Sequence, residues 1–129
     1  MRKLVYDLLS EDAVLRQWVP KAGFVERNAE LTQLPRPFIV LPQVNILRGM
    51  GHSRRFLIEA WVYDDLGSYN RIDQICRRIE RTMEDVAGLV TETAAVTTVE
   101  WTGRSADLTD DVVRANVRST GFQLIGREL

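Results

Sequence analysis

His52 is the one histidine and Cys76 the one cysteine of the chain, so the side chains that most often bind metal or attack as nucleophiles are nearly absent. A structural zinc site needs several Cys or His ligands at fixed spacing, and none can be assembled. A single cysteine also rules out an intrachain disulfide. Cys76 falls in an apolar helical stripe and is expected to be a buried structural thiol. His52 ends the run Arg48-Gly49-Met50-Gly51-His52, whose two glycines predict a flexible hairpin connection over Asn45 to Ser53. Gly-x-Gly alone is no phosphate loop, because the longer glycine pattern and its Lys-Ser/Thr ending are missing. His52 is therefore expected to be an exposed loop residue.

None of Ser10, Ser53, Ser68, Ser105 and Ser119 lies in a nucleophile-elbow sequence. Asp64-Asp65 and Asp110-Asp111 are adjacent carboxylates, but neighbours on a strand point to opposite faces. These pairs read as turn and capping chemistry. No catalytic, cofactor-binding or metal-ligating residue is assigned, no cofactor is expected, and the chain is not expected to be an enzyme.

The elements that would hold any functional surface are more legible than the chemistry. Leu4, Val5, Leu8, Leu9, Leu15 and Trp18 recur near helical spacing and predict a helix from about Arg2 to Trp18, stopped by Pro20 and Gly23. Between Pro37 and Pro42, Phe38-Ile39-Val40-Leu41 reads as a short strand, either at a sheet edge or ending at Leu41. Arg54 to Asp64 alternates as a strand with two apolar faces, Phe56, Ile58, Ala60 and Val62 on one and Leu57, Trp61 and Tyr63 on the other. Both faces need cover, and the aromatic one invites a second layer or a neighbouring subunit.

Ser68 is placed to cap a helix running toward Val86, with Ile72, Ile75, Cys76, Ile79, Met83 and Val86 as its inner stripe. Its outer face carries Arg71, Gln74, Arg77, Arg78 and Arg81. Val96 to Thr102 is β-branched and extended, Gly103 to Asp111 reads as a polar loop, and Val112 to Ile125 is extended again. In that last stretch Val113, Ala115 and Val117 share one parity and Phe122 and Leu124 the other, which predicts a bulge or break near Thr120-Gly121. The fold class is α+β: a small, mostly antiparallel sheet packed against two amphipathic helices, with residues 1–129 as a single domain.

With 129 residues, 45% hydrophobic residues and 27% charged ones, the chain can build one core without metal or disulfide support. No segment approaches the roughly 20 apolar residues that cross a bilayer. Acidic residues at Asp7, Glu11 and Asp12 interrupt any signal-peptide core, so the protein is expected to be made and assembled in the cytoplasm. A formal net charge of -1 carries no basic excess, so nucleic-acid binding is not expected. Arginines between Arg71 and Arg81 and acids at Asp107, Asp110 and Asp111 form patches of opposite sign, which could orient identical subunits or simply face solvent.

Five segments carry a resemblance: Leu4-Val5-Tyr6-Asp7-Leu8-Leu9, Pro35-Arg36-Pro37-Phe38-Ile39-Val40-Leu41, Phe56 to Tyr63, Ile72 to Met83, and Val117-Arg118-Ser119-Thr120-Gly121-Phe122. In this order they resemble the tail-terminator and tail-completion proteins of long-tailed bacteriophages. The resemblance implies a structural protein that forms a ring, commonly a hexamer, at the head-proximal end of the virion tail. Its partners would be copies of itself, the major tail-tube protein and a head connector or head-completion protein, with no membrane partner. The ring would end tube growth and join tail to head.

The resemblance also implies that Asn45 to Ser53 and Gly103 to Asp111 face partners, which singles out Arg48, Gly49, Met50, His52, Arg104 and Asp107. The residue pattern adds Trp61, Tyr63, Arg77 and Arg81 as candidate subunit contacts. Two alternatives stand beside this one: another tail or head-completion component, and a small ligand-binding regulatory domain with a concave polar pocket.

Overall fold

A computed structural model describes residues 1–26, 30–41 and 44–129. The first helix, α1, spans Arg2–Ser10, shorter than the periodicity predicts. The chain leaves the helix because the Asp12 carboxylate accepts the Leu15 N–H at 3.0 Å and is gripped by Arg78 from 66 residues away. A short polar side chain that caps a new turn competes with continuing the old one. The apolar residues beyond it, Leu15 and Val19, still reach the core through a 3-10 turn at Leu15–Gln17.

The strands follow in chain order. β1 is Phe24–Glu26, β2 Phe38–Leu41, β3 Asn45–Arg48 and β4 Arg54–Asp64. Helix α2 spans Asn70–Glu84 with Tyr69, not the expected Ser68, at its N-cap; Ser68, one residue earlier, accepts the Asn70 N–H with its Oγ at 3.0 Å. β5 is Ala94–Arg104, β6 Leu108–Asp110 and β7 Ala115–Glu128. They form one sheet with the path β1-β2-β4-β7-β5, while β3 pairs the first half of β4 and β6 the start of β7. Among the described residues only β1 and β2 run parallel, so the sheet is mixed and mostly antiparallel.

Four sequence expectations are revised. β2 is not at an edge, since β1 and β4 flank it, but it ends at Leu41 as the second option required. Half of the expected connection at Asn45 to Ser53 is strand β3. The expected polar loop at Gly103 to Asp111 contains the end of β5 and all of β6. The bulge expected near Thr120-Gly121 is not in β7 itself, which pairs with β4 in unbroken register from Arg54↔Gly126 to Asp64↔Asn116, but the β5–β7 ladder does shift register there, with the extra residue on β5 opposite Phe122 and Gly121.

β7 instead buries both parities. Phe122 and Leu124 join the helix-side core, while Ala115 joins a second cluster with Phe38, Val40 and Val113. Two-sided cover removes the conflict that a one-sided strand would have had. The register shifts lie in β5, at Val96/Thr98 and Trp101/Gly103. Gly126 accommodates the first of them: a Cβ there would stand 2.1 Å from the Ala95 carbonyl oxygen.

One core cluster contains Leu4, Val5 and Leu9 of α1, the full α2 stripe, and Phe56, Ile58, Ala60, Val62, Phe122 and Leu124 of the sheet. Ile72, Ile75, Cys76, Ile79 and Met83 are fully inaccessible, which follows from the three- and four-residue spacing that puts them on one helix side. The opposite sheet face carries the smaller cluster, with Leu31 and Leu34 packed onto it.

Candidate subunit interface

Because cross-strand partners share a face, the register sorts every strand residue. On the helix face, α2 is joined to the sheet by a polar network. Arg104 grips Glu80 with two bonds at 2.6 and 2.8 Å, the Thr120 hydroxyl donates to the same carboxylate at 2.8 Å, and Trp101 Nε1 donates to Thr120 Oγ1 at 3.0 Å. Arg118 bonds Asp73 at 2.7 Å and lies 3.5 Å from Asp107. The Glu80 bond, helped by its charge, raises the Arg104 pKa. Arg104 is thus committed inside the subunit, and Asp107 stands exposed at the network's rim.

Trp61 and Tyr63 lie on the other face, half-buried. Tyr63 stacks on Phe38 with ring centroids 4.8 Å apart, and both aromatic residues pack on the second cluster. Burial, then the Asp110 charge, pushes the Tyr63 hydroxyl pKa up. The aromatic surface that invited a neighbour is therefore partly buried within the chain, against a cluster that Val113 of the turn before β7 helps form and that Leu31 and Leu34 also pack on. Asp110 organises that turn by accepting the N–H groups of Val112 and Val113 at 3.0 and 2.9 Å.

The arginine-rich face of α2 divides in two. Arg71 donates two hydrogen bonds to buried Asp64, each at 2.6 Å, and Arg78 pairs with Asp12 at 2.7 Å. Arg77 and Arg81 are exposed and have no ion pair among the described residues. Asp64 also accepts the Asp65 N–H at 2.8 Å, so both adjacent-carboxylate pairs contain a turn-forming member. Among the described residues no cluster of three or more His, Cys, Asp or Glu could hold a metal ion, and no helix is long and apolar enough to cross a membrane. Burial raises the Cys76 thiol pKa to about 12, which removes it from nucleophilic chemistry at neutral pH.

Arg48, Gly49, Met50 and His52 come together at the tip of the β3–β4 hairpin, and Met50 is 90% exposed. Gly49 has to be glycine: a Cβ there would sit 2.4 Å from the Ser53 carbonyl oxygen. Ile46 and Leu47 on β3 are also exposed. The Asp107 loop lies at the opposite end of the sheet, near Leu108↔Val117. The 11 residues of β4 separate the two ends by about 35 Å at roughly 3.3 Å per residue. The candidate residues therefore do not form one site. They mark two ends of the sheet, with Arg77 and Arg81 on the helix layer.

One surface was not singled out from the sequence. A cleft of about 600 Å³ lies between α1 and the segment after α2, lined by Lys3, Leu4, Asp7, Leu8, Glu11, Asp12, Thr82, Leu89, Thr91, Glu92 and Thr93. Among the described residues its lining holds four carboxylates and one ammonium group. Lys3 pairs with Asp7 at 2.5 Å, and that bond raises the lysine pKa. The Arg78 bond holds the Asp12 carboxyl below its usual range. The i, i+4 spacing of Lys3, Asp7 and Glu11 was a visible signal for one charged helix face. The opposing wall comes from some 80 residues later, and no local pattern announces it.

No protein-family model matches the sequence, and no curated protein matches it. Among solved structures, a chain from the "Virion of native gene transfer agent (GTA) particle" has the same fold, with a TM-score of 0.76 at 13% identity. The match covers 100% of this chain and 95% of that one. At such low identity the likeness establishes a shared fold from end to end.

Proposed function

We propose that this protein is a structural component of a phage-like virion, and that it acts as a tail terminator. Copies assemble as a ring, commonly six, on the head-proximal end of the tail tube. One ring surface repeats the contact made by a tube subunit, and the other meets a head connector or head-completion protein and denies the next tube subunit its place. The observation that carries this reading is the full-length fold likeness to a chain of a gene transfer agent virion, which agrees with the five-segment resemblance in the sequence. Function of this kind is geometric, and it asks of the fold only two separated contact surfaces and a lateral one.

The fold is compatible with that arrangement because its candidate residues lie apart, the β3–β4 tip at one end of the sheet, the Asp107 loop at the other and Arg77 and Arg81 on the helix layer, so that lateral and axial contacts can use different surfaces. Growing tail tubes from purified tube protein with and without this chain tests the proposal. Tubes should stop lengthening and carry one extra terminal ring when it is present. Continued growth at saturating protein would refute terminator action.

A further inference from the structure

We propose that neighbouring copies join by inserting the β3–β4 hairpin tip of one into the acidic cleft beside α1 of the next. The inference rests on the ring reading, and it names the contact that would build the ring. The hairpin is both basic and apolar. Arg48, Arg54 and Arg55 make no ion pair with any described residue, and Ile46 and Met50 present their side chains to solvent at 57% and 90% exposure. An exposed apolar tip ringed by unpaired cations favours burial against a surface that is apolar below and acidic at its rim.

The cleft has that composition. Leu4, Leu8 and Leu89 supply an apolar floor, and Glu11 and Glu92 are carboxylates without an ion pair among the described residues. Thr82, nine-tenths buried in the cleft wall, carries the one buried side-chain oxygen left without a hydrogen-bond partner among the described residues. The two surfaces also sit where a ring needs them. In the row Arg48↔Arg54↔Gly126↔Val96, the hairpin occupies one edge of the sheet and β5 the other. The Leu89 wall of the cleft is hydrogen-bonded to Val96 on the outer edge of β5.

Three strand spacings of roughly 4.8 Å separate β3 from β5, about 14 Å in all. A contact from one edge to the opposite edge of the next copy leaves each subunit with one surface used as donor and the other as acceptor. Such a head-to-tail contact propagates, and it closes into a ring when the rotation per subunit divides the circle. A second copy is the fitting occupant because the complementary surfaces belong to the same chain, whose net charge of -1 sets up little overall repulsion.

The test is a cysteine pair in the full-length protein, Met50→Cys with Glu92→Cys, oxidised at high protein concentration; buried Cys76 stays out of reach. A head-to-tail contact yields a ladder of linked dimers, trimers and higher species, whereas each single variant can give at most a dimer. Adding Arg48→Glu and Arg54→Glu should slow ladder formation about ten-fold, and raised salt should act in the same direction. Rings seen by electron microscopy without Met50–Glu92 linkage would overturn the proposed contact and leave the ring intact. A ladder that never closes would uphold the contact and refute the ring. Neither linkage nor rings at about millimolar protein would refute both, since local concentrations of that order are what a tethered assembly supplies.

Discussion

Replacing Ile79 by Ala probes whether the α2 stripe is the keystone of the core. Ile79 is fully inaccessible and shares a cluster with residues of α1, the 3-10 turn and the sheet. The change deletes three carbons, worth about 2.4 kcal/mol at roughly 0.8 kcal/mol per buried carbon. The cavity left behind adds a further contribution that depends on how far the site collapses, bringing the expected loss to about 2.5 to 4 kcal/mol. With a urea m-value near 2 kcal/mol/M, the unfolding midpoint should fall by about 1 to 2 M at unchanged slope. Arg77→Ala, two positions earlier on the exposed side of the same helix, should stay within about 0.5 kcal/mol of the parent. An Ile79→Ala midpoint shift below about 0.3 M, measured by circular dichroism on monomeric protein, would refute the packing argument.

Glu80→Ala should destabilise by about 2 to 3 kcal/mol in the same assay, because it strands the part-buried Arg104 guanidinium and the buried Thr120 hydroxyl together; a neutral result would show that the network is dispensable. Asp12 has a lowered folded-state pKa through its Arg78 bond, so its contribution is fully present above the unfolded carboxyl value of about 3.9 and is lost as pH falls through the lower folded value. Asp12→Asn should therefore flatten the acid limb of a stability–pH curve, and parallel limbs would contradict the pairing. Cys76, held near 12 by burial, should resist alkylation at pH 8 in native protein and react at once in denaturant; rapid native labelling would place it outside the core. Gly126→Ala drives a Cβ into the Ala95 carbonyl and should shift the amide resonances of β5 on both sides of the Val96 bulge, while leaving β3 unmoved.

The parts of this fold that could be read from sequence are those whose pattern is local. The α2 stripe follows from helical spacing, the two faces of β4 from strict alternation, and the Asp110 turn from an acid that can reach two N–H groups ahead of it. Elements that long-range partners create were hidden. Strands β3 and β6 are short and mostly exposed, with no alternating buried face to announce them, and pairing with β4 and β7 makes them strands; α1 stops early because Asp12 is held by Arg78 across 66 residues. β7 misled by parity because two separate clusters cover its two faces. The candidate surface shows the same division: the hairpin tip announced itself through Gly49 and Gly51, whereas the cleft exists only where α1 meets the segment beyond α2. Arg104 looked like a loop residue and proved to be an internal tie to Glu80.

The most direct test of the terminator role is to locate the chain in finished particles. Cryo-electron microscopy of completed tails, with an antibody or tag marking this protein, should show one ring at the head-proximal end of each tail. Particles that assemble correctly and express the protein, yet carry no label at that end, would contradict it.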